Sequence, residues 1–173
     1  MTPFPDPRLA TPSDLPAVDA LLARCYPAAL KRDYAPSILV TALPIIVRAQ
    51  PKLLSSDRYW ITMEDGRAIA CGGWSAAPPR GDGGPARTAH VRHVAADPDR
   101  PRAGLGRRLM RAALAQAAEA GMVRAECLST RNAVPFYAAL GFQADGEVKV
   151  PLAPGVDFPS VAMHLENLET ALA

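Results

Sequence analysis

The residues best suited to chemistry form a glycine-bearing turn at the start of a helical pattern. Gly104 and Gly106 flank Leu105, and arginines lie on both sides of them. Glycines lack a Cβ, so a large anion can approach their backbone closely. The N-terminus of a helix adds free N–H groups and the positive end of the helix dipole. The segment therefore predicts a site for a phosphate or pyrophosphate group.

The patterns on either side of this turn predict a strand before it and a helix after it. Residues 90–96 alternate loosely between apolar and polar, as a half-buried strand does. Regular alternation would place His90 and His93 on opposite faces of that strand. Apolar residues recur at helical spacing from Leu105, and Gly121 supplies a stop signal.

Other phosphate-binding motifs fit this segment poorly. A dinucleotide-binding motif needs a third glycine where Leu109 stands. A Walker loop needs Gly-Lys-Ser/Thr, which does not follow here. A Gly-x-Gly pair is by itself a weak signal, because ordinary tight turns contain it too.

A second motif lies further along the chain. Residues 129–142 read Ser-Thr-Arg-Asn-Ala-Val-Pro-Phe-Tyr-Ala-Ala-Leu-Gly-Phe. In isolation they predict a short amphipathic helix that buries Phe136 and Tyr137 and ends at Gly141. The two motifs, in this order, resemble the GNAT superfamily of N-acetyltransferases. The resemblance is specific over about residues 58–168.

The glycine turn departs from the family pattern at its first position. The family motif is Gln/Arg-x-x-Gly-x-Gly/Ala, preceded by a strand and Val-x-Pro. Here residues 96–98 read Ala-Asp-Pro, and Pro101 occupies the first motif position. Proline removes one N–H donor, which leaves charge neutralisation to Arg100, Arg102 and Arg107.

The resemblance implies the fold class and the cosubstrate. We expect a mobile tail over residues 1–7, then one α/β (α+β) domain over residues 8–173, with a mixed, mostly antiparallel sheet and helices on both faces. The acyl donor implied is acetyl-CoA, and the acceptor is an amine of a small molecule or peptide. The residues implied in binding the donor are Val94, Ala95, Ala96, Arg102, Ala103, Gly104, Leu105, Gly106, Arg107 and Asn132.

Two side chains are implied in proton transfer. Tyr137 matches the family's usual general acid, which protonates the CoA sulfur. His90, six residues before Ala96, matches a position where some members carry a catalytic Glu or His. An amine with the pKa of lysine is protonated at neutral pH, so a base helps it to attack. The sequence leaves open whether that base is His90 or a bound water.

The expected route is direct attack within a ternary complex. Cys127 is a candidate for an acyl-enzyme, but a small buried thiol is the better interpretation. A non-catalytic acyl-CoA-binding sensor of the same fold is the alternative function.

Composition narrows the class of protein further. The 173 residues suit one domain, and 49% apolar with 21% charged residues is ordinary for a globular chain. A net charge of +2 and 6% aromatic residues do not indicate a nucleic-acid-binding protein. The 3 cysteines are widely spaced, so no disulfide framework or metal site is expected. We expect no membrane span and no signal peptide, expect a cytoplasmic protein without a membrane partner, and leave a homodimer open.

The remaining patterns predict how the rest of the chain folds. Thr11-Pro12-Ser13-Asp14 is a helix start. By resemblance, residues 26–56 lie over the acceptor site, where Tyr26, Asp33 and Tyr34 are candidate contacts. The other elements expected are a strand at 8–10, a helix near 38–43, and strands at 58–63, 68–75, 122–128, 142–151 and 160–168.

Overall fold

The computed structural model describes residues 4–81 and 83–172, which fold around a seven-stranded sheet. The order across the sheet is β1-β2-β3-β4-β5-β7-β6. Every neighbouring pair is antiparallel except β4 and β5, which are parallel. The strands are β1 (Arg8–Leu9), β2 (Tyr59–Glu64), β3 (Arg67–Ser75), β4 (Thr88–Ala96), β5 (Arg124–Ser129), β6 (Gln143–Ala153) and β7 (Val156–Glu166).

Helices cover both faces of this sheet. Helix α4 buries its apolar stripe with the larger hydrophobic core on one face, and α1 packs over the other. The mixed, mostly antiparallel sheet with helices on both faces is therefore confirmed. The helices are α1 (Leu15–Leu30), α2 (Pro36–Ile46), α3 (Pro51–Leu54), α4 (Leu105–Glu119), α5 (Val134–Ala139) and α6 (Leu168–Ala171).

The start of α1 is fixed by the predicted capping residues. The Thr11 N–H donates to the Asp14 carboxylate at 2.8 Å, and the Arg8 guanidinium donates to both oxygens of that carboxylate at 2.9 Å. These bonds lower the pKa of Asp14 to about 2, with the Arg8 contact as the main cause. The Arg8–Asp14 ion pair thus connects β1 to the start of α1, the helix that covers one face of the sheet.

Helix α4 begins and ends at the glycines that the sequence indicated. Gly104 caps its N-terminus with φ +75°. Gly121 follows its C-terminus with φ +86°, where its N–H donates to the Ala118 carbonyl at 2.9 Å. The Met122 N–H donates to the Ala117 carbonyl at 3.0 Å, which completes a Schellman motif.

Strand β4 contains a bulge. Cys71 of β3 pairs with Ala95, yet Gly73 pairs with Arg92, so one residue of β3 faces two of β4. His93 lies in the bulge with φ +52°, a conformation that non-glycine residues rarely adopt.

The bulge changes which side chains share a face. Ala89 and Val91, which flank His90, pack into the core on the α4 side, so His90 faces the other side. The His93 ring lies against Tyr26 of α1 on that other side. The expectation that the two histidines lie on opposite faces is therefore wrong. Alternation assumes an unbroken pleat, and an extra residue reverses the direction of every later side chain.

The parallel pairing of β4 with β5 is short. It runs from Thr88 with Arg124 to His90 with Glu126 and no further. β5 stays paired with β7 up to Ser129. The β5-facing backbone of β4 is therefore left without a strand partner beyond His90.

Several boundaries differ from the expectations. The last hairpin is longer than predicted, because β7 begins at Val156 and only Pro154 and Gly155 separate it from β6. The strand expected to reach Leu168 ends at Glu166, and Leu168 starts α6 instead. Helices α3 and α6, with 4 residues each, are too short to produce a periodic pattern.

The N-terminal segment makes contacts from Phe4 onward. Phe4 packs against the larger core, and Arg108 of α4 donates to the Phe4 carbonyl at 3.0 Å. Arg108 also pairs with Asp6. The expected mobile tail thus includes residues held against α4, while residues 1–3 lie outside the described residues.

Within the described ranges, none of the helices combines the length and apolar character needed to cross a membrane.

A polar network inside the sheet–helix interface joins α4 to β2 and β3. The Gln116 side-chain oxygen accepts from the indole N–H groups of Trp60 and Trp74, each at 3.1 Å. The Gln116 amide nitrogen donates to the Asp57 carbonyl at 2.8 Å. One side chain therefore satisfies both indoles at the interface.

Replacing Gln116 with methionine tests this network. Gln116→Met keeps the length of the side chain but leaves both indole N–H groups without their acceptor. We therefore expect the free energy of unfolding to fall by about 2 kcal/mol or more. The measurement is urea denaturation, with Gln143→Met at an exposed site of β6 as the control. A loss in Gln116→Met no larger than in that control would show that the network adds nothing to stability.

Candidate active site

A cavity of about 660 Å³ opens where β4 is no longer paired with β5. Its walls come from the C-terminal half of α1, the end of β4, the start of α4 and the segment around α5. Among the residues predicted to bind the donor, five line this cavity: Val94, Ala95, Ala96, Gly106 and Asn132. The fold thus brings the strand, the glycine turn and the second motif to one place.

The N-terminus of α4 presents free backbone donors at the edge of this cavity. The amides of the first turn have no acceptor within the helix, and the first closing bond runs from the Arg108 N–H to the Gly104 carbonyl at 2.9 Å. Gly106 lies against Phe136, since a Cβ there would be 3.1 Å from the ring. The other predicted donor-binding residues, which form the turn beside the cavity, are Arg102, Ala103, Gly104, Leu105 and Arg107.

Tyr137 lines the same cavity and is held by aromatic contacts. Its ring meets Phe136 and Phe142 edge-on, with centroids 5.1 Å and 5.4 Å away. Burial raises the pKa of Tyr137 well above its ordinary value of 10.0. The hydroxyl is therefore protonated at neutral pH and available as a proton donor.

Burial keeps the three thiols protonated as well. Burial is the main cause that raises the pKa of Cys25, Cys71 and Cys127 to about 12 in each case. Cys25 lines the 660 Å³ cavity, which we call the donor cavity after the residues predicted to bind the acyl donor, and its thiol donates to the Ala96 carbonyl at 3.0 Å. A thiolate is the nucleophilic form, so none of these cysteines is activated.

His90 lies in a different cavity from Tyr137. This second cavity, of about 490 Å³, is also lined by Arg92, His93 and Glu126. The His90 Nδ1 atom is 3.8 Å from the Glu126 carboxylate. Burial lowers the pKa of His90 from its ordinary value of 6.5, and the Glu126 charge partly opposes that shift. The imidazole is therefore neutral at pH 7 and able to accept a proton.

His93 is held by two hydrogen bonds, one through its ring and one through its backbone carbonyl. Its Nε2 donates to the Ile46 carbonyl at 2.6 Å, and its own carbonyl accepts from the Tyr59 hydroxyl at 2.7 Å. That tautomer leaves Nδ1 as an acceptor, buried and without a partner among the described residues. Burial lowers the pKa of this imidazole too.

A third cavity, of about 320 Å³, joins the donor cavity to the cavity that His90 and His93 line. It shares Tyr26 and Thr130 with the donor cavity, and Arg92 and His93 with the cavity of His90. The three cavities therefore form a continuous groove across the end of the parallel strand pair.

The candidate acceptor contacts named from the sequence have different positions. Tyr26 lies at the junction of the two cavities, and Asp33 lines the donor cavity. Tyr34 is buried instead, where its hydroxyl donates to the Pro159 carbonyl at 2.8 Å and accepts from the Arg131 N–H at 2.9 Å. Sequence reasoning missed Thr130, although it lies within the second motif, two residues before the predicted Asn132.

No group of three or more His, Cys, Asp or Glu side chains within the described ranges is placed to hold a metal ion.

Comparisons with known proteins give one family. The profile of the Acetyltransferase (GNAT) family matches residues 15–142. No curated protein matches this sequence.

Solved structures of low sequence identity share the fold. A GCN5-related N-acetyltransferase from Rhodopseudomonas palustris is 17% identical over 96% of this chain and 98% of its own, with a TM-score of 0.72. PaiA N-acetyltransferase from Thermoplasma acidophilum, solved with coenzyme A, is 14% identical over 93% of this chain and 98% of its own, with a TM-score of 0.64. The ribosomal-protein-S18-alanine N-acetyltransferase from Escherichia coli is 18% identical over 93% of this chain and 92% of its own, with a TM-score of 0.61.

Residues 15–142, which match the family profile, include the glycine turn, the short helix that carries Tyr137 and the point where β4 and β5 separate. The protein therefore belongs to the GNAT family of acetyltransferases.

Proposed function

We propose that the protein transfers an acetyl group from acetyl-CoA to an amine by direct attack within a ternary complex. The observation that carries this proposal is the 660 Å³ cavity, in which the free edge of β4, the start of α4 and Tyr137 lie together. Family membership supports acyl transfer, and a similar structure holds coenzyme A.

The donor would occupy this cavity along its length. The pyrophosphate would lie at the backbone of residues 102–107, where the helix N-terminus supplies N–H groups and positive potential. The pantetheine would follow the main chain of Val94, Ala95 and Ala96, which no neighbouring strand pairs on the β5 side, and Asn132 would contact it from the opposite wall.

Direct attack is supported by the state of the thiols. An acyl-enzyme route through a cysteine needs a thiolate, and the pKa values of about 12 for Cys25 and Cys127 keep both protonated. The acceptor amine must then attack the thioester itself, with both substrates bound.

Two side chains would move the protons of this reaction. The amine reaches the groove as an ammonium ion, and we assign its proton to His90, which is neutral at pH 7 and stabilised by Glu126 once protonated. Water in the groove would relay that proton, because His90 and Tyr137 line different cavities. Tyr137 would protonate the sulfur of the departing CoA.

One measurement distinguishes an enzyme from the alternative function, a non-catalytic acyl-CoA sensor. We expect CoA release from acetyl-CoA to accelerate when an accepted amine is added, with intersecting double-reciprocal lines. Tight acetyl-CoA binding with no amine-dependent CoA release across an amine panel would favour the sensor.

The anion site is tested by a matched pair of glycine substitutions. Gly104→Val and Gly121→Val both place a β-branched residue at positive φ with nothing within 4 Å of the new Cβ. Each should therefore lose stability to a similar extent, about 1–2 kcal/mol. Only Gly104→Val alters the N-terminal turn, so only it should weaken acetyl-CoA binding in calorimetry, by about tenfold or more. Equal affinity in the two variants would contradict the placement of the pyrophosphate.

The role of Tyr137 is tested by removing its hydroxyl. Tyr137→Phe should keep its affinity for acetyl-CoA, because the ring contacts remain, and should lower kcat by about ten- to a thousandfold, because the proton for sulfur is lost. Tyr34→Phe removes a buried hydroxyl outside the donor cavity and should keep kcat within a few-fold. Full activity in Tyr137→Phe would exclude it as the acid.

The pH dependence of kcat/KM tests His90. A base must be neutral to act, so activity should fall as pH drops through the His90 pKa, which lies below 6.5. His90→Ala should flatten this acidic limb. Glu126→Gln should move it to lower pH, because the Glu126 charge raises the His90 pKa.

The third histidine provides the control for that experiment. His164 pairs with Asp145 at 2.8 Å, and His164→Ala should keep the acidic limb in place. An unchanged limb in His90→Ala would assign the base to water alone.

A further inference from the structure

The 320 Å³ cavity beside the donor cavity is positively charged. Because it shares Tyr26 and Thr130 with the donor cavity, a ligand held in it would lie next to the proposed thioester. Arg80 and Arg92 line it, and no Asp or Glu of the described residues does.

Arg92 is a half-buried guanidinium with neutral partners. Its Nη1 donates to Ser75 Oγ at 3.1 Å, and its Nη2 donates to Gln50 Oε1 at 3.0 Å. A guanidinium has five N–H donors, so further donors remain for a ligand. No carboxylate of the described ranges forms an ion pair with it.

The carboxylates that line the cavity of His90 already have partners. Glu126 accepts from Arg124 at 3.1 Å and faces His90, and Asp145 pairs with His164 at 2.8 Å. Both line the cavity of His90 and not the cavity of about 320 Å³.

Arg80 adds a second positive charge at the outer wall. It is exposed, and its Nη2 donates to the Leu152 carbonyl at 3.0 Å. Keeping a partly buried charge without a counter-ion is unfavourable, and burial lowers the pKa of Arg92 from its ordinary value. A planar carboxylate would satisfy the fork of Arg92 with two parallel hydrogen bonds.

The rest of the wall is mostly apolar and leaves little room. A volume of about 320 Å³ is at the lower end for ligand sites, which suits a molecule of amino-acid size. The apolar side chains that line the cavity are Ile45, Ile46, Leu128, Val150, Leu152 and Phe158.

We propose, on the basis of the function proposed above, that the acyl acceptor is an amine that also carries a carboxylate and an apolar side chain. Arg92, assisted by Arg80, binds the carboxylate. The apolar wall contacts the side chain, and the amine lies near Tyr26 and Thr130, facing the donor.

The experiment compares acceptors that differ only at the carboxylate. Leucine, leucinamide and 3-methylbutylamine share one apolar body, and each is assayed by CoA release with saturating acetyl-CoA. We expect kcat/KM for leucine to exceed that of the other two by about ten- to a hundredfold, the range for a charge-assisted pair. The phosphonate analogue of leucine is included, and a preference for it over leucine would overturn the assignment to a carboxylate.

Variants then assign the preference to the arginines. Arg92→Gln should remove most of the leucine-to-leucinamide ratio by raising KM for leucine, and Arg92→Lys should retain part of it, because charge remains but the fork is lost. Arg80→Gln provides a second variant at an exposed site and should reduce the ratio less. Arg67→Gln, at the exposed start of β3, should leave the ratio unchanged, and thermal unfolding checks that each variant is folded.

The outcomes separate this inference from the function on which it rests. If 3-methylbutylamine or leucinamide is acetylated as well as leucine, or if the ratio survives both Arg92→Gln and Arg80→Gln, the inference is wrong and the acetyltransferase activity stands. If no amine accelerates CoA release from bound acetyl-CoA, the proposed function fails, and the inference fails with it.

Discussion

The parallel strands β4 and β5 pair only from Thr88 to His90 on the β4 side, and the site occupies the space where they part. Two hydrogen bonds hold the bulge beyond that point, from the Tyr59 hydroxyl to the His93 carbonyl and from His93 Nε2 to the Ile46 carbonyl. Gly72 on β3 lies opposite, where a Cβ would come within 2.8 Å of Val94. The bulge therefore depends on contacts from β2, β3 and α2 at once, and it turns Arg92 and His93 into the groove.

Burial in this groove sets the protonation of its side chains. An uncharged environment favours the neutral form of every titratable group. It therefore raises the pKa of Tyr137 and of the cysteines and lowers that of His90. The same desolvation keeps the tyrosine hydroxyl and the thiols protonated and the imidazole neutral at pH 7.

Positive charge lies at two places along the groove. The start of α4 offers backbone N–H groups and the helix dipole, with Arg102 and Arg107 exposed beside them. Arg80 and Arg92 lie in the adjoining cavity. Since Tyr26 and Thr130 connect the two cavities, an anionic donor and an anionic acceptor would be held by separate groups on either side of the reacting atoms.

The sequence by itself determined the strands, the helices other than α3 and α6, and the two motifs, because these depend on local physics. Glycine spacing and helical periodicity predicted where α4 begins and ends, and the positions of the Asn and the Phe-Tyr pair predicted the short helix that carries Tyr137. The face of His93, the cavity that holds His90 and the partners of Arg92 were decided only by the tertiary structure. A bulge depends on the register between β3 and β4, which residues far apart in the chain set together. The adjacent glycines Gly72 and Gly73 were the one local signal of that irregularity, and they carry no information about which residue of the partner strand bulges.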